Sequence, residues 1–548
     1  MTQNRQLQDQ ISAAIAGGAY LAAYAAVQDL WRNQPGPATA AFILGQIPRL
    51  RAHIPLTTQR VAILRSFTVE PVVSVFRAQA FANGIDVSVH VGAFNAFAQE
   101  ILDPASELYA FDPEVVILAV QIRDIAPELW RWEDKACGPD VVARVLDEYR
   151  NLLQTLRSHH RANVIVHDFE QPVYPRQGLL DGQSPSGQAA TIRDLNHGLR
   201  KLGEQIPGLS VLGYDELVAA HGRIRWFDER KWLTARLPVA ADCLIHLGAE
   251  WCRMIACLAG RLSKVIVVDL DNTLWGGTVG EEGLDGLRLG KEYPGAAFRE
   301  LQDALLACYE RGILLAIASK NNAQDALEVL ERHPEMLLRP QHFAAMRINW
   351  NDKAQSIKEI ADELNVGIDS IAFLDDNPAE RDLVHRELPC VTVLEPGADP
   401  LGYAAVVRRH AGFQRLTLLQ EDQDRNRYYE QRKTSERLAA ASASLDDFYR
   451  SLAQEVEVRP VAPNTVARVA QLTQKTNQFN LTTKRYTEQE IERLAAIPGW
   501  FVYSATVRDR FGDNGIVGVL IVSKTGHVLE LDTLLLSCRV IGRTVETA

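Results

Sequence analysis

Two successive series of short, branched apolar runs, each run separated from the next by a longer amphipathic stretch, restrict this chain more than any other feature. The first series is VAILRSF (61–67), IDVSVHVG (85–92), VVILAVQ (115–121), NVIVHDF (163–169) and LSVLGY (209–214). Runs of this length and branching form buried parallel strands, and stretches such as 139–159 and 187–204 carry the helical spacing that joins them. The alternation predicts an α/β domain over about residues 1–255. A second series begins at KVIVVDL (264–270) and continues through ILLAIAS (313–319), MRINW (346–350), SIAFLDD (370–376) and VTVLEP (391–396), predicting another α/β domain over 262–400. The pattern then changes. Residues 403–450 are charged and helical in spacing, which reads as a solvated connecting helix. From 451 to 548, VEVRPV (456–461), WFVYSATVRD (500–509), GIVGVLIVSK (515–524) and HVLELDTLLLS (527–537) predict an α+β domain with meandering antiparallel strands.

Three domains suit a chain of 548 residues, since a single core rarely serves more than about 250–300. A net charge of −11 argues against a general nucleic-acid binder, which carries a basic domain. The start, MTQNRQLQDQ, lacks a basic segment followed by an apolar one, so no secretory leader is expected. No apolar run reaches the ~18–20 residues of a membrane span. Seven scattered cysteines without a CxxC pair fit free thiols in a reducing cytoplasm.

Chemistry gathers in the second series. In an open parallel sheet, function collects at the carboxyl ends of the strands. The run VVDLDNTLWGG (267–277) places Asp269 and Asp271 at such an end, two residues apart, with Thr273 following. One carboxylate can attack phosphorus while the other manages a proton. Ser319 ends the next strand and can donate to a phosphoryl oxygen. Lys353, in NWNDKAQSI, opens a helix after a further strand and can neutralise charge on the transferring group. Asp375 and Asp376 end yet another strand, and their hard oxygens beside Asp269 suit Mg²⁺. Each motif alone could be a solvated turn; all four in this order supply what phosphoryl transfer requires.

This order resembles the four motifs of the haloacid-dehalogenase (HAD) superfamily. The resemblance implies a HAD-like Rossmannoid domain in which Asp269 is the nucleophile and forms an aspartyl-phosphate. Asp271 would be the general acid/base, with its backbone carbonyl on the metal. Thr273, Ser319 and Lys353 would contact the phosphoryl group. Asp269, Asp271, Asp375 and Asp376 are the metal-site candidates, with Asp376 favoured over Asp375 as the ligand of the last motif. The 50 residues from Asp269 to Ser319 hold a Gly-rich flap (WGGTVGEEGLDGLRLG) and one helix, leaving no room for a large cap.

Near the C-terminus, Cys538 ends the strand LDTLLLS and is followed by RVIGRT (539–544). A strand, a turn with Arg539, Gly542 and Arg543, and a helix start resemble the pyrophosphate loop of GNAT-type acyltransferases, where backbone N–H groups bind phosphate. Thr544 stands where Gly or Ala is usual. A complete GNAT-type fold would run on for tens of residues beyond Ala548, so this domain is expected to be truncated or completed otherwise. A cysteine at such a groove can carry an acyl group, with the arginines and helix start lowering its pKa; the plain alternative is a small core residue.

Together with TQKTNQFNLTTKRYT (473–487) and RDRFGDNGIVGVLI (508–521), these segments make the chain similar to the FkbH-like family. These are HAD-type bifunctional glyceryl transferase/phosphatases of polyketide assembly lines, and the resemblance covers about residues 60–548. It implies that the chain takes 1,3-bisphosphoglycerate, removes phosphate, holds the glyceryl group on a cysteine, here assigned as Cys538, and passes it to the phosphopantetheine thiol of an acyl carrier protein. Asn477, Gln478, Asn480 and Thr482 either line the acyl or pantetheine site or cap a helix. Partners from nucleic acid or membrane are not expected.

The first domain resembles SGNH-type hydrolases, with Ser66 in LRSFTVEP where those enzymes carry a nucleophile. Their late D-x-x-H becomes Asp228 and Lys231 in WFDERKW, so the serine lacks an imidazole to activate it. An SGNH-like, non-hydrolytic domain is expected. Two other functions compete with the leading one. The chain could be a plain Mg²⁺-dependent phosphatase of small phosphate esters, or a non-catalytic scaffold that binds carrier protein. A covalent glyceryl adduct separates the first reading from both.

Overall fold

The computed structural model describes residues 2–131, 138–418, 452–475, 479–482, 484–510, 512–537, 540 and 545–547. The chain divides into two compact units, Met1–Ala259 and Gly260–Ala548.

The first unit holds the predicted parallel sheet. Its strands are β1 (Thr57–Arg65), β2 (Ile85–Val91), β3 (Val115–Ala119), β4 (Asn163–His167) and β5 (Leu209–Leu212), in the order β2-β1-β3-β4-β5. All pairs are parallel. Every residue of β3 is buried, as a strand covered on both faces requires, and this is why it reads as an unbroken apolar run. Three helices precede β1: Thr2–Ala16, Tyr20–Asn33 and Pro37–Leu50. Their Ala23, Val27, Leu30, Ile43 and Ile47 form one core with Val75, Ala78 and Phe81 of the helix Glu70–Ala82.

The second unit begins with another parallel sheet: β6 (Val265–Val268), β7 (Leu314–Ser319), β8 (Phe343–Ile348), β9 (Ile371–Leu374) and β10 (Thr392–Leu394), ordered β10-β9-β6-β7-β8. Strand β6 shows why both faces are covered. Ile266 and Val268 enter one core and Val265 and Val267 the other, as the two-residue period of a strand dictates. Residues 403–413 depart from the expected solvated linker. Tyr403, Ala404, Val407 and Phe413 are buried in the first of these cores, so the domain continues past 400. The rest of that predicted helix, 419–450, lies outside the described residues.

An antiparallel sheet follows: β11 (Glu455–Pro460), β12 (Phe479–Asn480), β13 (Trp500–Asp509), β14 (Gly512–Thr525) and β15 (Val528–Leu536), ordered β11-β13-β14-β15-β12. The three long strands are those predicted. The helices Val466–Lys475 and Glu488–Ala496 cover one face through Val469, Leu472, Ile491 and Leu494, which meet Val502, Val519, Ile521 and Leu535. Among the described residues, no helix is long and apolar enough to cross a membrane.

Candidate active site

Strand order fixes where the second unit can do chemistry. Chain direction reverses its lateral progression between β6 and β9, the neighbours at the centre of the sheet. The crevice beyond their carboxyl ends is the topological switch point of an open α/β sheet. Asp269 leaves β6 there, its N–H still bonded to Leu374 O at 3.0 Å, and Asp375 and Asp376 leave β9 directly opposite. One oxygen from each of Asp269, Asp375 and Asp376 lies within 4.8 Å of the others.

Lys353 reaches this cluster from a third strand end. Asp352 caps the helix Lys353–Leu364, its Oδ1 accepting the Gln355 N–H at 2.7 Å, and so sets Lys353 as the first helical residue. Its ammonium, on a residue 3% exposed, lies 2.6 Å from Asp269 Oδ1 and 2.7 Å from Asp375 Oδ2. Burial disfavours that charge, but the two carboxylates outweigh it and hold Lys353 above the ordinary lysine range. Burial raises Asp375, and the charge of Asp269 adds to this while Lys353 opposes it. Asp376 is raised by the same burial and the same neighbour.

Local structure makes the carboxylates rigid. Asn377 caps the helix Pro378–Glu387, accepting the Ala379 N–H at 2.9 Å, with Pro378 at the first position. Arg381 returns from that helix to donate to the carbonyls of Asp375 and Asp376 at 2.8 and 2.7 Å. Thr273, expected on the phosphoryl group, is fully buried. Its Oγ1 accepts the Asp376 N–H and donates to Asp376 Oδ1, both at 3.1 Å. It therefore braces the β9 loop. Ser319 is buried at the end of β7.

Asp271 is placed apart from the trio. The chain turns at Asn272, whose φ of +55° is left-handed and whose Oδ1 accepts the Gly277 N–H at 2.9 Å. Asp271 Oδ1 accepts from Trp275 Nε1 at 2.8 Å and from the Val279 N–H at 3.2 Å. Its Oδ2 accepts from Asn321 Nδ2 at 2.8 Å. Burial raises its pKa, helped by the charge of Asp269 and opposed by these donors. Of the four metal-site candidates, Asp271 is thus the one whose carboxylate is committed elsewhere. Asn321 was not singled out from the sequence. Its one signal is its position two residues after Ser319.

The donor set fits a hard divalent cation: three carboxylates converge, and among the described residues the buried Asp269 Oδ1 has no partner apart from Lys353.

The other predicted sites are distributed differently. In the first unit, Ser66 follows β1 and is fully buried, its Oγ accepting the Gln121 N–H at 2.8 Å. Asp228 caps the helix Glu229–Ala235 by accepting the Lys231 N–H at 2.9 Å, and the Lys231 ammonium lies 3.3 Å from its other oxygen. In the C-terminal sheet, Asn480 pairs with Leu535, three residues before Cys538. Thr482 is exposed. Cys538, Arg539, Gly542, Arg543, Thr544, Asn477 and Gln478 lie outside the described residues. A cluster the sequence did not disclose sits beside β12. Asp532 is buried and gathers the Lys484 ammonium, the Tyr486 hydroxyl at 2.5 Å and the Thr533 hydroxyl at 2.9 Å.

Residues 60–256 match the family model described as FkbH, N-terminal domain. No curated protein matches the chain. Among solved structures, it is similar to the N-terminal part of BF1531 from Bacteroides fragilis, which contains a phosphatase domain and is complexed with Mg. The TM-score is 0.61 at 27% identity, over 66% of this chain and 95% of that one. A gut microbial diltiazem-metabolizing enzyme, BT4096, superposes with a TM-score of 0.27 at 10% identity, over 39% of this chain and 50% of that one.

Proposed function

We propose that this FkbH-type chain is a Mg²⁺-dependent HAD-type phosphatase working through Asp269, and that its phosphatase belongs to a glyceryl transfer onto an acyl carrier protein. The phosphatase reading rests on one observation above the others. Asp269, Asp375 and Asp376 converge within 4.8 Å at the sheet's switch point with Lys353 between two of them. The similarity to a Mg-complexed phosphatase domain supports it.

Asp269, Asp375 and Asp376, with the backbone carbonyl of Asp271, would hold Mg²⁺, which supplies charge stabilisation for the transferring phosphoryl group. An Asp269 oxygen attacks phosphorus and the bond to the leaving oxygen breaks. Asp271, its pKa raised by burial, gives that oxygen a proton. Lys353 and Ser319 hold the phosphoryl oxygens. Asp271, now a carboxylate, takes a proton from water as the water oxygen attacks phosphorus, and the bond to Asp269 breaks to release phosphate.

The glyceryl half of the reading rests on the FkbH match over 60–256 and on the sequence around Cys538. The Cys538 thiolate attacks the acyl phosphate of 1,3-bisphosphoglycerate and displaces phosphate. The Asp269 site cleaves the remaining phosphate ester, and the pantetheine thiol of a carrier protein takes the glyceryl group from the cysteine. The C-terminal sheet is read as GNAT-like. The first unit is read as SGNH-like and non-hydrolytic, since Ser66 is sealed and Asp228 is occupied as a helix cap.

Intact mass spectrometry after exposure to 1,3-bisphosphoglycerate, with and without carrier protein, tests this. The parent should carry a glyceryl adduct on the peptide containing Cys538 and lose it to the carrier. Asp269→Asn should accumulate a phosphoglyceryl adduct, and Cys538→Ser should carry none while still cleaving a simple phosphate ester. Phosphate release with no adduct in any sample would leave a plain phosphatase. An adduct on Cys252 or Cys257 would move the acyl site.

A further inference from the structure

Resting on the reading of Asp271 as the proton donor to the leaving oxygen, we infer that Asn321 is a positioning residue for that transfer, equipping the site for phosphate esters with unactivated alkyl leaving groups. Asp271 sits in a loop, outside the trio of converging carboxylates, and its carboxylate has two torsions to lose. Three donors fix it. Trp275 Nε1 and the Val279 N–H come from its own loop and the flap that follows. Asn321 Nδ2, at 2.8 Å, comes from the end of β7, two residues beyond Ser319. Asn321 therefore ties the orientation of Asp271 to the strand end that offers Ser319 to the phosphoryl group.

The amide is itself held. Asn321 is buried, and its Oδ1 accepts the Asn322 N–H at 2.9 Å. An amide neither gains nor gives a proton at neutral pH, so its effect on the reaction passes through Asp271. In the first step the Asp269 oxygen bonds to phosphorus, the electron pair of the breaking bond goes to the leaving oxygen, and that oxygen takes the Asp271 proton. An alkoxide is a poor leaving group without this proton. A nitrophenolate departs as a stable anion and needs it much less. Accurate placement of Asp271 thus matters most for alkyl esters, the class to which a phosphorylated glyceryl group belongs.

The test compares Asn321→Ala with the full-length parent in Mg²⁺, in single-turnover release of the leaving group from 3-phosphoglycerate and from p-nitrophenyl phosphate. Single turnover isolates the first step from hydrolysis of the phosphoryl-enzyme. The alkyl ester should slow by about tenfold to a hundredfold, a part of what general acid catalysis contributes, and the nitrophenyl ester by a clearly smaller factor. Asn321→Gln, which keeps an amide on a longer arm, should recover part of the difference and serves as the comparison if the alanine protein does not fold. Equal slowing of both esters, or no slowing of the alkyl ester, overturns the inference. Asp269→Asn separates this from failure of the underlying reading. If that variant still cleaves both esters, the phosphatase assignment itself falls; if it is inactive, only the role of Asn321 is in question.

Discussion

Lys353→Met removes an ammonium and keeps most of the volume of the side chain. In the parent that ammonium lies 2.6 Å from Asp269 and 2.7 Å from Asp375, and Lys353 and Asp375 are almost wholly shielded from water. Removing one member of such a buried pair costs about 3–5 kcal/mol, because the charge left behind is unpaired. Asp376 adds a third carboxylate within 4.8 Å. Without metal, the variant should therefore be destabilised by about that amount, which for a domain of roughly 150–250 residues lowers Tm by about 6–20 °C. Mg²⁺ changes the balance. Bound at these carboxylates, it would stabilise the folded state by about 2.7 kcal/mol at a hundredfold excess over Kd, and the Lys353 ammonium would oppose its binding. The variant should gain more from Mg²⁺ than the parent does, and its deficit should shrink by the difference between the two gains. Calorimetry in EDTA and in Mg²⁺ measures this on the transition that Mg²⁺ moves. A deficit of the same size in both conditions, or none in EDTA, would refute the view that Lys353 neutralises the carboxylates that hold the metal. Phosphate release should be lost in either case.

Ser66→Ala leaves the buried Gln121 N–H without its acceptor, so it should cost about 1–3 kcal/mol in stability while glyceryl transfer stays within a few-fold of the parent. A loss of transfer of about a hundredfold with the fold intact would make Ser66 a working nucleophile. His167 gives a pH dependence. Burial pushes its imidazole down to about 3, and its Nε2 accepts from Trp251 Nε1 at 2.8 Å. Unfolded, the ring titrates near 6.5, so below that pH the unfolded chain binds a proton the folded chain refuses. Stability is full above about pH 6.5 and falls as pH drops toward 3, by about 1.4 kcal/mol per unit. His167→Gln keeps an acceptor and removes the titration. Between pH 7 and pH 5, urea unfolding of the first unit should show the parent losing about 2 kcal/mol more than the variant; equal losses would mean that the folded state accepts the proton.

Much of this was legible because parallel strands buried on both faces must be nearly continuous apolar runs. Such runs place Asp269, Ser319 and the Asp375–Asp376 pair at strand ends, and Lys353 at the helix start that follows another strand. What escaped depends on contacts between distant segments. Asn321 and Asp271 are 50 residues apart, and an asparagine in a turn looks the same whether it grips a carboxylate or faces water. Thr273 stands in a motif that suggests phosphate contact, and nothing in the sequence announces that its hydroxyl also bonds Asp376, 103 residues away. The helix Tyr403–Arg409 reads as the start of a linker because charged residues follow it, yet its Tyr403, Ala404 and Val407 enter the core. Strand β12 is two residues long, too short for any periodicity to announce. The first three helices are rich in alanine, and the larger residues that meet Phe81 and its neighbours, Val27 and Leu30 on the second helix and Ile43, Ile47 and Leu50 on the third, are few and spaced a turn apart.

In the proposed reaction Asp269 takes the phosphoryl group onto itself. Acid-quenching the enzyme during turnover of a phosphate ester in Mg²⁺, followed by peptide mass spectrometry, addresses this directly. The parent should carry one phosphoryl group on the peptide containing Asp269, and Asp269→Asn or the parent treated with EDTA should carry none. Undiminished phosphate release by Asp269→Asn, or a phosphoryl group trapped on a different residue, would contradict it.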